Sequence, residues 1–129
     1  MIVLYGLKNC DSCRKALKLL QDGGRPHRFH DLRADGLPAD RLAHWLAAAG
    51  WEALLNRRST TWRELPEAEK AGPDGTLEGR LDAAHAAALL ARHPTLIKRP
   101  VVEIPDAGGD DRLVIGFSPA EQAILKALQ

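Results

Sequence analysis

The chain has 129 residues, and its 18 lysines and arginines nearly balance 17 aspartates and glutamates, giving a formal net charge of +1. This length suits one domain with one hydrophobic core, and we expect a monomer. The balanced charge excludes functions that depend on bulk electrostatics, so we expect neither direct nucleic-acid binding nor membrane binding. No apolar run reaches membrane-spanning length and no signal segment precedes the first predicted strand, which predicts a cytoplasmic protein.

The first third of the chain predicts a βαβ unit. A β-branched and apolar run at residues 2–5 predicts a buried strand, and residues 11–21 predict a helix with Cys13 on its apolar face. The weakly alternating residues 27–32 predict a second strand. Because a helix connects these strands, we expect them to be parallel with a right-handed crossover.

The middle of the chain, from about residue 37 to residue 93, predicts a helical insertion. Periodic apolar residues that start after Pro38 and end at Gly50 predict its first long helix. A Ser/Thr cap before Trp62 predicts a short helix. The stretch 70–80 is rich in glycine and proline, so we expect a mobile loop there rather than a domain boundary.

The last third predicts a helix, a hairpin and a second helix. Asp82 is expected to cap the first of these helices. Residues 101–104 and 113–116 predict two antiparallel strands, joined by a loop at 106–111. Ser118, followed by a proline, is typical of the first turn of a helix.

The cysteines lie in a C-x-x-C spacing between the first strand and the first helix. In a reducing compartment this pattern favours redox or nucleophilic chemistry. Cys10 is expected at the helix N-terminus, where unpaired N–H groups and the helix dipole favour a thiolate, and Lys8 and Arg14 add positive charge. Cys13 could resolve a disulfide or simply pack as a small apolar side chain. We predict no metal site, because no second close pair of ligands accompanies the cysteines.

Two arginines are candidates for an anion site. Arg58 lies in a basic pair with Arg57, and Arg99 immediately precedes Pro100. If the third strand pairs with the first, Arg99 lies close to Cys10, where its guanidinium could hold a carboxylate or an oxyanion in two-point contact. The alternative is that each arginine is solvated surface.

Four segments carry a resemblance to a known family. They are Leu4 to Cys10 followed by Arg14-Lys15-Ala16, Gly50 to Asn56 with Arg58 and Thr60-Thr61-Trp62, Ile97 to Pro100, and Gly116-Phe117. With these segments the chain resembles the arsenate reductase ArsC family along nearly its whole length, and is most similar to its YffB branch. The resemblance implies a thioredoxin-like α/β fold: a mixed four-stranded sheet with helices on both faces and a helical insertion between the second and third strands.

The resemblance also implies a function. Proteins of the YffB branch are proposed to be glutathione-dependent thiol reductases, so Cys10 would be the redox nucleophile and Pro100 a cis-proline facing it. No bound cofactor is implied; glutathione would be the co-substrate, a thiol or disulfide the substrate, and glutaredoxin a further candidate partner. The residues implied for substrate and anion binding are Lys8, Asn9, Arg14, Arg58, Arg99 and Pro100.

Two departures from the family pattern bear on the substrate. Arsenate reductases of this family resemble each other in a third arginine after the returning strand, whereas residues 114–117 here read Val-Ile-Gly-Phe and Arg112 is out of register. This departure argues against arsenate. The C-x-x-C followed by Arg-Lys-Ala is similar to the redox switch of Spx regulators, which bind the RNA polymerase α subunit. A redox-switched binding module is therefore the alternative to an enzyme, and a purely structural role is a third.

Overall fold

The structure, a computed structural model, describes residues 1–66, 83–105 and 111–128. Two compact units are formed: Met1–Gly36 with Lys98–Gln129, here called the sheet unit, and Leu37–Ile97, here called the helical unit. The helical unit corresponds to the predicted insertion. The predicted loop at 70–80, the cap at Asp82 and most of the hairpin loop lie outside the described residues.

The sheet unit contains four strands. They are β1 (Ile2–Gly6), β2 (His27–Asp31), β3 (Val101–Ile104) and β4 (Arg112–Ile115). Their order is β2-β1-β3-β4, with β1 and β2 parallel and the other two pairs antiparallel. The mixed four-stranded sheet that the resemblance implies is confirmed, and β3 pairs with β1, the condition on which the placement of Arg99 near Cys10 depends.

Two helices of the sheet unit, α1 (Asp11–Asp22) and α6 (Pro119–Lys126), pack against each other and against one face of the sheet. The core between them is made of alternate strand residues and of one apolar stripe from each helix. Its fully buried members include Leu4, Ala16 and Leu125. Helix α6 begins after Ser118, as predicted, and the Glu121 carboxylate accepts hydrogen bonds from the backbone N–H and the hydroxyl of Ser118.

The sulfur of Cys13 lies directly against the backbone of Gly6. A Cβ atom at position 6 would lie 2.4 Å from the Cys13 Sγ and 3.2 Å from its Cβ. The last residue of β1 therefore has to be glycine for the second cysteine of α1 to pack against the strand. This contact sets how closely the start of α1 approaches the sheet.

The opposite face of the sheet carries buried polar side chains. The Tyr5 hydroxyl donates a hydrogen bond of 2.8 Å to the Glu103 carboxylate, and both residues are 4% exposed. The centroid of the Tyr5 ring also lies 4.9 Å from that of the tilted His30 ring, and the Nε2 of His30 lies 2.7 Å from the Gly36 carbonyl oxygen. The tyrosine thus links three strands on this face, since β2, β1 and β3 each contribute one member.

The described part of the helical unit is built from short helices. They are α2 (Ala39–Ala49), α3 (Trp51–Leu54), α4 (Thr60–Glu64), α5 (Ala83–Arg92) and a single 3-10 turn, Pro94–Leu96. Gly50 ends α2 at a φ of +84°, and the Ser59 hydroxyl accepts a hydrogen bond from the Trp62 N–H to cap α4, as predicted. Among the helices that the structure describes, none combines the length and the hydropathy needed to cross a bilayer.

We predict that Gly6→Ala destabilises the protein by about 1 to 3 kcal/mol, because the new methyl group overlaps the Cys13 sulfur. Urea denaturation measures this loss. Gly23→Ala is the matched control, because Gly23 has a φ of −77° that alanine adopts without strain.

Removing the sulfur should rescue the variant. In a double-mutant cycle, Gly6→Ala combined with Cys13→Ala should cost less free energy than the sum of the two single changes. Strict additivity of the two changes would show that the close contact does not constrain the fold.

Candidate active site

Cys10 occupies the N-cap position of α1. Its backbone is extended, with φ of −108° and ψ of 119°, and its carbonyl oxygen accepts the first helical hydrogen bond from Arg14 at 3.0 Å. The preceding turn is closed by a bond from the Cys10 N–H to the Leu7 carbonyl oxygen. An N-cap side chain projects among the unpaired N–H groups of the first helical turn, so the half-buried sulfur faces the positive end of α1.

The pKa of Cys10 lies below its ordinary value. Burial raises this pKa, but the backbone N–H and the thiol of Cys13, together with the positive charge of Arg99, outweigh burial and stabilise the thiolate. The direction of the shift agrees with the sequence-based expectation for a cysteine at a helix N-terminus. The shift also identifies which of the candidate cations acts on the sulfur, namely Arg99.

Cys13 behaves in the opposite way. It is fully buried between α1 and β1, and burial together with the neighbouring Cys10 raises the pKa of its thiol to about 12. At neutral pH Cys13 is therefore a neutral thiol that can donate to the Cys10 sulfur. The two cysteines of the motif thus differ in ionisation, one favoured as an anion and the other kept protonated.

Arg99 and Pro100 reach the site from the start of β3. The bond between them is cis, as the resemblance implies, and Pro100 is buried while Arg99 is half-buried. The Pro100 carbonyl oxygen accepts a hydrogen bond of 2.9 Å from the Gly116 N–H, which anchors this segment to the end of β4. Pairing of β3 with β1 then brings Arg99 to the Cys10 sulfur.

The remaining residues predicted around Cys10 are exposed. Lys8 and Asn9 form the turn between β1 and α1. Arg14 makes a salt bridge with the exposed Asp11 carboxylate one turn earlier in the helix. Lys8 is therefore an exposed cation two residues from the nucleophile in sequence, whereas the charge of Arg14 is offset by its acidic partner.

The two arginines of the basic pair differ in their surroundings. The Arg57 guanidinium lies over the rings of Trp51 and Trp62, at 5.7 and 5.9 Å, and so has a cation–π role. Arg58 is exposed, and its backbone N–H donates to the Asn56 side chain. Both arginines belong to the helical unit, so the placement of Arg58 beside Cys10 stays a prediction.

Sequence reasoning missed Asp31, the last residue of β2, which pairs with Gly6 at the end of the sheet where β1 leads into the turn before Cys10. This carboxylate is 6% exposed and accepts hydrogen bonds from the N–H groups of Arg33 and Ala34 at 2.8 and 2.9 Å. The Ala34 N–H in particular lowers the pKa of Asp31, with further contributions from Arg33 and from the N–H and charge of Lys8. A single acid at the carboxyl end of a parallel strand is the sequence signal that could have found it.

In the three described ranges, no three histidine, cysteine, aspartate or glutamate side chains come together as metal ligands. Both cysteines are free thiols.

Comparison with known proteins places this site in a family. The profile of the ArsC family matches residues 5–125. The chain belongs to the ArsC family. It is 43% identical over 121 residues to an uncharacterised protein from Haemophilus influenzae, a match that covers 94% of this chain and 95% of the relative.

Two further ArsC-family comparisons are informative. A solved YffB protein is 38% identical and superimposes with a TM-score of 0.79, covering 97% of this chain and 98% of that one. The global transcriptional regulator Spx of Listeria innocua is 24% identical over 94% of this chain and 83% of its own length. The thioredoxin-like fold of the ArsC family and the likeness to YffB are thereby confirmed.

We predict that Arg99→Gln raises the pKa of Cys10, because the substitution removes the positive charge beside the sulfur. Arg99→Lys should raise it less, since the charge is kept. The pH dependence of alkylation by iodoacetamide, followed by mass spectrometry at Cys10, measures the shift. Arg28→Gln is the control, because Arg28 is an exposed arginine of β2; an equal shift in both glutamine variants would contradict the assignment.

We also predict that iodoacetamide labels Cys10 and leaves Cys13 unmodified at pH 8. Cys13 is buried, and with a pKa of about 12 only roughly one molecule in ten thousand carries its thiolate at this pH. Peptide mapping gives the labelled fraction at each position. In guanidinium at roughly 6 M, a concentration that unfolds most proteins, both cysteines should react equally. Comparable labelling of the two cysteines in the native protein would be inconsistent with this structure.

Proposed function

We propose that this protein is a glutathione-dependent thiol–disulfide oxidoreductase with Cys10 as its nucleophile. The observation that carries the proposal is the lowered pKa of Cys10, which burial alone would raise. A structural cysteine has no need of groups that stabilise its anion, whereas a nucleophile reacts as the thiolate. Family membership supports the same chemistry, since the chain resembles YffB and arsenate-reductase-related proteins along its length.

The first step is attack of the Cys10 thiolate on a mixed disulfide between glutathione and a substrate thiol. A bond forms between Cys10 and the glutathione sulfur as the original S–S bond breaks, and the electron pair leaves on the substrate thiolate. The substrate is thereby reduced and the enzyme carries the glutathionyl group. The N–H groups at the start of α1 and the Arg99 guanidinium hold the attacking anion in place before the reaction.

The second step is removal of the glutathionyl group from Cys10. Attack by Cys13 would need its thiolate, but Cys13 is buried, and burial is the largest cause of its raised pKa. Loss of the Cys10 charge in the adduct removes only the smaller causes of the raised Cys13 pKa. A second glutathione thiolate arriving from solvent meets no such barrier, so we assign resolution to glutathione, which leaves as the oxidised dimer. Glutaredoxin is a candidate for the same step.

Glutathione fits the charges beside Cys10 because it carries two carboxylates. Arg99 and Lys8 are cations of the sheet unit that adjoin the nucleophile in space or in sequence. A charge-assisted hydrogen bond to a carboxylate contributes about 1.5 to 3 kcal/mol when sheltered from water. Such contacts hold the tripeptide while its sulfur reacts.

Arsenate is less well supported as a substrate. Arg112, the only arginine near the returning strand, opens β4 opposite Ile104. The end of β4 that lies beside Pro100 is Ile115, three residues and so about 10 Å further along the strand. The stretch from Val114 to Phe117 therefore offers no third guanidinium at the end of the sheet where Cys10 reacts.

An Spx-like redox switch is the rival function, favoured by the C-x-x-C spacing and by the similarity to Spx. Such a switch closes a disulfide between Cys10 and Cys13. Closure requires the Cys13 sulfur to attack Cys10 after an oxidant has converted Cys10 to an oxidised form, and the pKa of about 12 and the complete burial of Cys13 make Cys13 a slow nucleophile for that attack. The structure thus supports an enzyme more than a switch.

We predict that oxidised glutathione adds one glutathionyl group to the protein, and that the adduct forms at Cys10. Intact-mass analysis detects the adduct. Cys10→Ser should abolish it and Cys13→Ser should retain it, because only Cys10 is both accessible and readily ionised. Failure of Cys10 to react in protein whose thiols titrate as free would overturn the proposed function.

The same assay isolates the contribution of Arg99. The rate with oxidised glutathione is divided by the rate with the uncharged hydroxyethyl disulfide, so that changes in Cys10 reactivity cancel. Arg99→Gln should lower this ratio by about 10- to 100-fold, the equivalent of one charge-assisted contact. A ratio that does not change would show that Arg99 acts on the Cys10 sulfur and not on the glutathione carboxylates.

A further inference from the structure

A short turn at residues 7–10 joins β1 to α1 and carries the nucleophile; it is called the β1–α1 turn below. Within it, the Cys10 N–H donates to the Leu7 carbonyl oxygen at 3.3 Å, which is longer than the usual range for such a bond. The side chains of Lys8 and Asn9 are exposed and so add little packing. The position of the reacting sulfur therefore depends on what holds this turn from outside.

Asp31 ends β2 beside the β1–α1 turn. It pairs in register with Gly6, the last residue of β1, and the Leu32 N–H donates to the Gly6 carbonyl oxygen at 2.8 Å. Side chains alternate along a strand, so Asp31 lies on the same face of β2 as Phe29, which packs against the core under α1. This is the face toward which the β1–α1 turn leads.

The Asp31 carboxylate organises the loop that follows β2. Its Oδ1 accepts the N–H groups of Arg33 and Ala34 at 2.8 and 2.9 Å, as in an Asx turn, and the side chain is buried. Asp35 supports the same loop from outside, because its Oδ2 accepts the Asp31 N–H at 3.1 Å. A carboxylate offers roughly four acceptor sites, so Asp31 can accept further hydrogen bonds beyond these two.

The β1–α1 turn faces the same carboxylate from the other side. The N–H and the charge of Lys8 both favour the ionised form of Asp31 and lower its pKa. The turn and the loop after β2 also line one pocket of about 240 Å³, to which they contribute Leu7, Lys8 and Asn9 on one side and Asp31, Arg33 and Ala34 on the other. One buried carboxylate therefore interacts with groups of both segments.

We propose that Asp31 is a positioning residue for the nucleophile: its buried carboxylate joins the β1–α1 turn to the loop after β2 and so holds Cys10 at the N-cap of α1. This role rests on the proposed function, because the position of Cys10 matters for catalysis only if Cys10 is the nucleophile. The negative charge of Asp31 by itself disfavours a nearby thiolate. Positioning and charge therefore predict effects of opposite sign when Asp31 is replaced.

The test measures the pH dependence of iodoacetamide alkylation at Cys10 in two variants. Asp31→Ala removes both acceptor oxygens and should lower the rate at neutral pH by about two- to fivefold, the equivalent of one interaction between an anion and a helix N-terminus. Above about pH 10 the rate should return to that of the wild type, because the Cys10 thiol is then ionised in both proteins. Asp31→Asn keeps an oxygen that can accept the N–H groups of Arg33 and Ala34, so its loss should be smaller.

Asp35→Ala is the matched control. It removes one negative charge and one hydrogen bond from the loop after β2, but it leaves the Asp31 carboxylate in place. The alkylation profile of Cys10 should therefore equal that of the wild type. Labelling of Cys13 reports the fold of every variant, because a protein that opens exposes this buried thiol.

A second readout separates positioning from substrate binding. The rate with oxidised glutathione, divided by the rate with hydroxyethyl disulfide, should not change in Asp31→Ala, because both reactions use the same Cys10 thiolate. A fall in this ratio would mean that Asp31 contacts glutathione, and it would overturn the positioning role.

Three results with folded Asp31→Ala would overturn the positioning role: a wild-type profile, a faster rate at neutral pH, which is the effect of charge alone, or an equal loss in Asp35→Ala. If Asp31→Ala labels at Cys13 and so does not fold, Asp31→Asn decides. A reduced rate at neutral pH then supports the role, and an unchanged or faster rate overturns it. Alkylation uses no glutathione, so a wild-type protein that forms no glutathione adduct would overturn the proposed function without altering these profiles.

Discussion

The site depends on one sulfur held at the start of a helix. Cys10 is extended where α1 begins, so its side chain meets the N–H groups that the first turn leaves without helical partners. The thiol of Cys13 and the charge of Arg99 add to this effect, and together they outweigh the cost of partial burial. The geometry in turn requires that α1 lie close to β1, which is possible only because Gly6 has no side chain where the Cys13 sulfur packs.

The order of the strands explains why β1 can bring several functional groups to one sulfur. As a central strand it has a neighbour on each side, β2 and β3, and each neighbour delivers a different chemistry to the end of the sheet where Cys10 lies. β3 is preceded by Arg99 and the cis peptide bond, whereas β2 ends at the buried Asp31, which pairs with Gly6 at the end of β1. The parallel pairing of β1 with β2 and the antiparallel pairing with β3 are both needed for this convergence.

Many helices and strands of both units could be predicted from local sequence signals, because those signals act over a few residues. The apolar run of β1, the stop at Gly50 and the cap at Ser118 each have a local physical cause, and the structure has all three. The segment 51–55 was predicted only as an apolar patch, and it forms the short helix α3, since four residues are too few for a periodic pattern.

Other features depend on contacts between distant parts of the chain, which composition and periodicity do not encode. The sequence leaves the role of Cys13 open between chemistry and packing, and its burial against Gly6, a contact between distant residues, is what favours packing. Likewise, Arg57 and Arg58 look equivalent in the sequence, although the Arg57 guanidinium lies over two tryptophan rings. A cleft between α1 and β2 is lined by residues from three separate stretches of the chain, which local patterns do not bring together.

The hydrogen bond between Tyr5 and Glu103 has a consequence for how the strands find each other during folding. Side chains alternate between the two faces of a strand, so a shift of β3 by one position would turn Glu103 toward the hydrocarbon packed under α1 and α6. A carboxylate there would meet no hydrogen-bond donor. The free energy lost on burying it would exceed most of the free energy that the misaligned pair of strands gains from its hydrogen bonds. One acidic residue in an otherwise apolar strand thus selects a single alignment of the sheet and penalises its nearest competitors.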